Sequence, residues 1–265
     1  MKSILVYLAA IYLLDKAFLR PSFIENKIKE VFLSYVGGAE EIEVDVDLAP
    51  FPKDLLGRIE RTEIEMRGFQ TETLPIVITP KKVMAGRIKR LKFYGEDIKY
   101  KSFSLKSVSL NLSDLEFNLP RLIFSRKMQF VGAGKGEVSL VLTEEAIKGA
   151  VKGKGDIGFE NDRLKIRVAV GYPPLAVPIE ITGKLVGRGD KIYFTQPSGQ
   201  VLSVPIPSEL LQMAIDRFNP IIDISSLLPF TIPISIREIT IKGNELQVIC
   251  DIDLSELGKE RKGER

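Results

Sequence analysis

Residues 41–48 read EIEVDVDL. Ile42, Val44, Val46 and Leu48 alternate with Glu41, Glu43, Asp45 and Asp47. Successive side chains of a strand point to opposite faces, so this period of two predicts a strand with one buried face and one wet, acidic face. A helix would scatter the four apolar side chains around its axis.

The same alternation recurs along the chain. It is found at Val108, Leu110, Leu112; Val138, Leu140, Leu142; Leu164, Ile166, Val168, Val170; Ile179, Ile181, Leu185; and Ile232, Ile234, Ile236. In two places the phase slips by one residue. Leu112 is followed by Leu115, Phe117 and Leu119, and Ile236 by Ile239 and Ile241. A slip with continued alternation predicts a β-bulge, which bends the strand and coils its sheet.

Helical signals are fewer. Pro21 opens a segment in which Ser22 and Glu25 form the capping pattern S-x-x-E. Ile24, Ile28, Val31, Phe32 and Tyr35 follow at helical spacing, and Gly37-Gly38 should end the helix. A brief turn is expected at Pro52–Leu56. Thr143 is placed to cap a short helix carrying Ala146, Ile147, Ala150 and Val151. Pro207 and Ser208 start another, with Leu210, Leu211, Ala214, Ile215 and Phe218 as its stripe, before Asn219-Pro220. Many strands and few amphipathic helices predict an α+β, β-rich fold: a large curved antiparallel sheet with helices packed on its concave face. No linker-like stretch interrupts residues 21–257, which are read as one domain, with a charged tail over 258–265.

The segment 1–20 has a different character. Residues 3–14, SILVYLAAIYLL, are uncharged between Lys2 and Asp15-Lys16. Twelve such residues make about 18 Å of helix, short of the roughly 20 residues a bilayer core needs. The run fits the apolar core of an export signal. Cleavage after Ala17 would put Asp15 where a small residue is wanted, so the segment is expected to serve as a signal or an anchor, with Lys2 and Lys16 at its ends. A buried N-terminal helix of the soluble fold is the other reading.

Composition removes several kinds of chemistry. The chain has no His, no Trp and one Cys. Triads that rely on His are impossible, and the usual zinc ligand sets are missing. Cys250 stands in the apolar alternation Leu246, Val248, Cys250, Ile252 and reads as a core thiol. The glycines of VGAGKGEV, residues 131–138, lack the spacing of a phosphate loop and lead into a strand. The expectation is a protein that is not an enzyme and takes neither metal nor cofactor.

Charge is uneven. Residues 39–65 hold nine acids and three bases, whereas residues 81–136 hold thirteen Lys and Arg and four acids. The densest part is Lys81, Lys82, Arg87, Lys89, Arg90 and Lys92. Such a stretch suits anionic lipid headgroups, or is a solvated strand face; an export signal argues against nucleic acid. Two segments, GYPPLAVP at 171–178 and SLLPFTIP at 226–233, are apolar yet rich in proline. They read as loops or edges that either dip into a membrane or plug the core.

Several short segments occur in an order that resembles the LmeA-like phospholipid-binding family of bacterial envelope proteins. They are APFPKDLLGRIERTEIEMRGF from Ala49, LVLTEEAIKGAV from Leu140, VPIPSELLQMAIDRF from Val204, and LLPFTIPISIREITIKGNELQV from Leu227. The resemblance spans roughly residues 20–255. It implies a sheet related in style to tubular lipid-binding domains, phospholipid as ligand, and a place outside the cytoplasmic membrane. The candidate lipid-facing residues are apolar positions on the helices, turns and one apolar loop that would line the concave face, Phe51, Leu55, Leu56, Ile147, Leu211, Ile215, Phe218 and Phe230, with ordinary core as the other reading of all eight. The candidate headgroup or membrane-surface residues are the six cations at 81–92. The expected partners are anionic phospholipid and membrane. A structural or adaptor protein of the envelope, with a fully packed core, is the competing reading, and a carboxylate-dependent hydrolase is a third that rests on no motif.

Overall fold

A computed structural model describes residues 20–50, 53–71, 83–100, 103–150, 156–170, 177–201, 204–216, 219–227 and 233–255. The chain is β-rich, with few helices. In chain order the elements are α1 (Pro21–Leu33), β1 (Val36–Gly37), β2 (Glu41–Leu48), a 3₁₀ turn (Asp54–Leu56), β3 (Arg58–Arg67), β4 (Gln70–Thr71), β5 (Ala85–Tyr100) and β6 (Phe103–Asn118). Then follow α2 (Leu119–Ser125), β7 (Phe130–Gly132), β8 (Lys135–Thr143), α3 (Glu144–Ala150), β9 (Asp156–Glu160), β10 (Arg163–Val170), β11 (Val177–Arg188) and β12 (Lys191–Val201). The last are β13 (Val204–Pro205), α4 (Ser208–Asp216), β14 (Ile222–Asp223), α5 (Ile224–Leu227), β15 (Ile234–Lys242) and β16 (Glu245–Asp253).

The single sheet expected from the alternation is two sheets. A ten-stranded sheet runs β1-β4-β5-β6-β8-β16-β15, with β3 joining β2 to β5 and β7 on β6. A six-stranded sheet runs β13-β12-β11-β10-β9, with β14 on β12. Hairpins explain the split, because β9 to β12 pair with their immediate chain neighbours and close a sheet among themselves. The chain divides into two compact units. Unit 1 holds residues 1–95, 109–137 and 253–265, and unit 2 holds 96–108 and 138–252. Strands β5, β6, β8 and β16 contribute residues to both.

In unit 1, α1 buries Ile24, Ile28 and Phe32, one per turn, against the sheet. The Phe32 ring stacks on Phe93 at 5.7 Å, and Phe69 meets Phe93 edge-on at 6.4 Å. Each such side chain contributes about 1.5–3 kcal/mol by leaving water. The start of α1 differs from expectation. Arg20 is the N-cap and no side chain caps it, because Pro21 already sits in the first turn with a backbone angle preset for helix. Ser22 is thereby inside the helix and cannot act as its cap. The end also comes early: Ser34 closes the helix, and Val36–Gly37 pair with β4.

In unit 2, α4 packs on β12 with Leu211 and Ile215 buried. The Thr143 hydroxyl accepts from the Ala146 amide at 3.3 Å, so the expected cap on α3 forms. Both phase slips are real irregularities. Ile236 pairs with Cys250 but Glu238 pairs with Ile249, leaving Arg237 as the extra residue. In β6, Asp114 adopts a left-handed backbone at φ 51° between Leu112 and Leu115. Cys250 is fully buried, and burial pushes its thiol up to about 11, as suits a core residue.

Candidate functional site

The basic stretch is the natural place to begin. Lys81 and Lys82 lie outside the described residues. Arg87, Lys89 and Lys92 project from β5 beside acids of β3 and β6, two of the strands that pair with it. Lys89 Nζ donates to Glu60 at 3.0 Å, and Lys92 Nζ lies 3.1 Å from Glu63, both on β3. Arg87 reaches Glu116 at 3.2 Å and Asp114 at 3.6 Å on β6. The hydrogen bond from Lys89 holds the Glu60 carboxyl below the ordinary carboxylate range, and that from Lys92 does the same for Glu63. The acid-rich and base-rich segments of the sequence thus meet across strands. Arg90 is exposed.

A different set of cations faces open space. After β6, Asn118 caps α2 by accepting from the Arg121 amide at 3.0 Å, and Pro120 sets the first turn. The helix ends at Arg126, in a left-handed conformation at φ 53°. This brief element holds Arg121, Arg126 and Lys127 outward. Among the described residues none of the three has a carboxylate partner; Arg121 donates to the Gln129 side-chain oxygen at 2.7 Å.

Between α1 and the segment from α2 to β7 runs a groove of about 470 Å³, inside unit 1. Lys27, Arg121 and Lys127 supply positive charge and Glu30 negative, Val31, Met128 and Phe130 supply apolar wall, and Ser34, Tyr35 and Gln129 are polar. Lys27 is held by Glu30 at 2.5 Å. An adjacent groove of about 430 Å³ is bordered by Phe23, Leu33, Lys29 and Arg126. Cations beside an apolar wall can hold a phosphate at one side and hydrocarbon at the other.

The lipid-facing candidates are dispersed. Ile147, Leu211 and Ile215 are buried in unit 2 by the chain itself. Leu56 is 51% exposed at the end of the 3₁₀ turn, and Leu55 lies in that turn. Phe51, Phe218 and Phe230 lie outside the described residues, as does most of both apolar proline-rich segments. Sequence reasoning missed α2 and its groove. The signal was present in Asn118-Leu119-Pro120, a cap followed by a helix-starting proline, but the alternation Leu115, Phe117, Leu119 reads straight through it.

Among the described residues no group of His, Cys, Asp and Glu is placed to hold a metal, and no helix is long and apolar enough to cross a membrane. No curated protein and no solved structure matches this chain. A family model does match, over residues 77–251, which is more than half of the chain and includes α2 and the cations Arg121, Arg126 and Lys127. The chain belongs to the LmeA-like phospholipid-binding family.

Proposed function

We propose that this protein is a non-enzymatic carrier or sensor of anionic phospholipid at the extracytoplasmic face of a bacterial membrane. The observation that carries the reading is the groove in unit 1, where Arg121 and Lys127, without an ion-pair partner among the described residues, stand beside Val31, Met128 and Phe130, the groove's carboxylate Glu30 being held by Lys27. Family membership supports lipid as the ligand. A headgroup phosphate accepts charge-assisted hydrogen bonds from the cations, and each acyl CH₂ removed from water contributes about 0.8 kcal/mol. In this reading acyl chains lie between a curved sheet and its helices. The lack of His and the burial of the one thiol fit binding without chemistry. The apolar run 3–14 supports export and membrane association.

The test is to purify the full chain from the membrane fraction of its own cells and analyse the solvent-extracted lipid by mass spectrometry. The expected result is glycerophospholipid enriched in anionic headgroups over the membrane average. Arg121→Gln with Lys127→Gln should remove that enrichment. A chain that fractionates with the cytosol, or that carries no lipid, would sink the proposal and favour an envelope adaptor.

A further inference from the structure

One end of unit 1 exposes apolar side chains that the lipid groove does not use. Phe124 on α2 is 84% exposed, Met84 before β5 is 60% exposed, and Leu56 and Val83 are also on the surface. They come from three separate stretches of chain that the backbone fastens together. The Leu119 amide donates to the Met84 carbonyl at 3.1 Å, and the Arg87 amide donates to the Gly57 carbonyl at 2.9 Å. Gly57 has a left-handed backbone at φ 67°, and a Cβ there would stand 2.7 Å from a Leu119 methyl. The 3₁₀ turn, the start of β5 and α2 are therefore packed as one surface. Large apolar side chains on monomers are normally scattered, and a cluster of them marks a contact surface.

We infer that this end of unit 1 seats on an anionic bilayer, with Phe124, Met84 and Leu56 entering the interface and Arg126 and Lys127 meeting its phosphates. The inference rests on the lipid reading above and names the surface from which the groove would be loaded. Two observations select a membrane as the occupant. Arg126 and Lys127 follow Phe124 after one residue, Ser125, and have no acidic partner among the described residues, which matches negative lipid. The apolar run 3–14 is also tethered close by. Residues 15–20 separate it from Pro21, a span of at most about 20 Å, and Phe23 borders the same groove as Arg126.

The chain contains no Trp, so a single introduced indole reports its own surroundings. Phe124→Trp is compared in the full chain with Val204→Trp, an exposed apolar site on β13 of unit 2. Both are mixed with vesicles of phosphatidylglycerol and phosphatidylcholine carrying bromine on the acyl chains. The expected outcome is a blue shift and quenching for Phe124→Trp, and neither for Val204→Trp. On vesicles of phosphatidylcholine alone the shift should be smaller. No response at position 124, or equal responses at both positions, would overturn the inference, and an equal shift on neutral vesicles would overturn the role given to Arg126 and Lys127. Because the N-terminal run is present in both variants, it contributes equally to the amount of chain bound, and the bromine quenching reads where each indole sits. Lipid copurifying with the unsubstituted chain is measured separately, so failure of the binding reading is distinguishable from failure of the membrane seat.

Discussion

Thr62 shows how a single side chain can sit against the grain of its strand. It is fully buried on β3 opposite Val46, and its hydroxyl has no hydrogen-bond partner. A buried hydroxyl without a partner costs part of its desolvation energy. Thr62→Val keeps the branched shape and removes the oxygen. It should raise stability by about 1 kcal/mol, read as a higher denaturant midpoint at unchanged slope. An unchanged or lower midpoint would mean the hydroxyl is satisfied in solution. Phe124 has the opposite character, a large apolar side chain with almost nothing over it. Neither property could be read from the sequence. Thr62 looks like an ordinary polar position in RIERTEIEMR, and Phe124 falls between Ile123 and Ser125 with no periodicity to orient it.

At the scale of elements, three of the bases expected to meet lipid, Arg87, Lys89 and Lys92, stand in a ladder of surface ion pairs with acids of the neighbouring strands. Lys89 and Lys92 face Glu60 and Glu63 on β3. All four are surface groups, so the pairs are screened by salt. The carboxyls of Glu60 and Glu63 are held below their ordinary values, so the stability they contribute is present above the carboxylate range and is lost as pH falls through it. Lys89→Ala with Lys92→Ala should therefore melt lower than the parent near neutral pH and low salt. The gap should close in acid and in high salt. A gap independent of both would point to lost packing of the lysine stems. The ladder was half legible: the acidic run at 39–65 and the basic run at 81–92 are plain, but their meeting depends on β3 pairing with β5, a long-range choice that neither segment encodes alone. The Thr143 cap and the slip at Ile236 were fully legible, because caps and bulges are local. The S-x-x-E pattern at Ser22 misled because Pro21 took the position that decides where a helix begins.

For the whole molecule, the alternation beginning at residue 41 gave the β-rich class and most strands. It could not give two sheets, since a strand's own pattern does not name its partners. The two units share this origin. Their boundaries fall within β5, β6, β8 and β16, so neither unit is encoded by a continuous piece of sequence. Among the described residues unit 1 begins at Arg20 yet takes its last piece from residues 253–255, of which Leu254 is buried and donates its amide to the Gly134 carbonyl at 3.0 Å.

That last hydrogen bond sets an order in time. Synthesis adds about 5–20 residues per second, so roughly tens of seconds pass between the appearance of α1 and that of Leu254. Throughout that interval the nascent chain lacks β16, one of the two strands that pair with β8, and its long-range contacts cannot all be made. A chain ending at Asn244, without β16, should show fast amide exchange at Gly136 and at Leu140 alike, positions of β8 that belong to different units. Slow exchange at Gly136 in that truncated chain would show that unit 1 closes without its last strand. The native connectivity thus leaves β8 without one of its two partner strands until the chain is nearly complete.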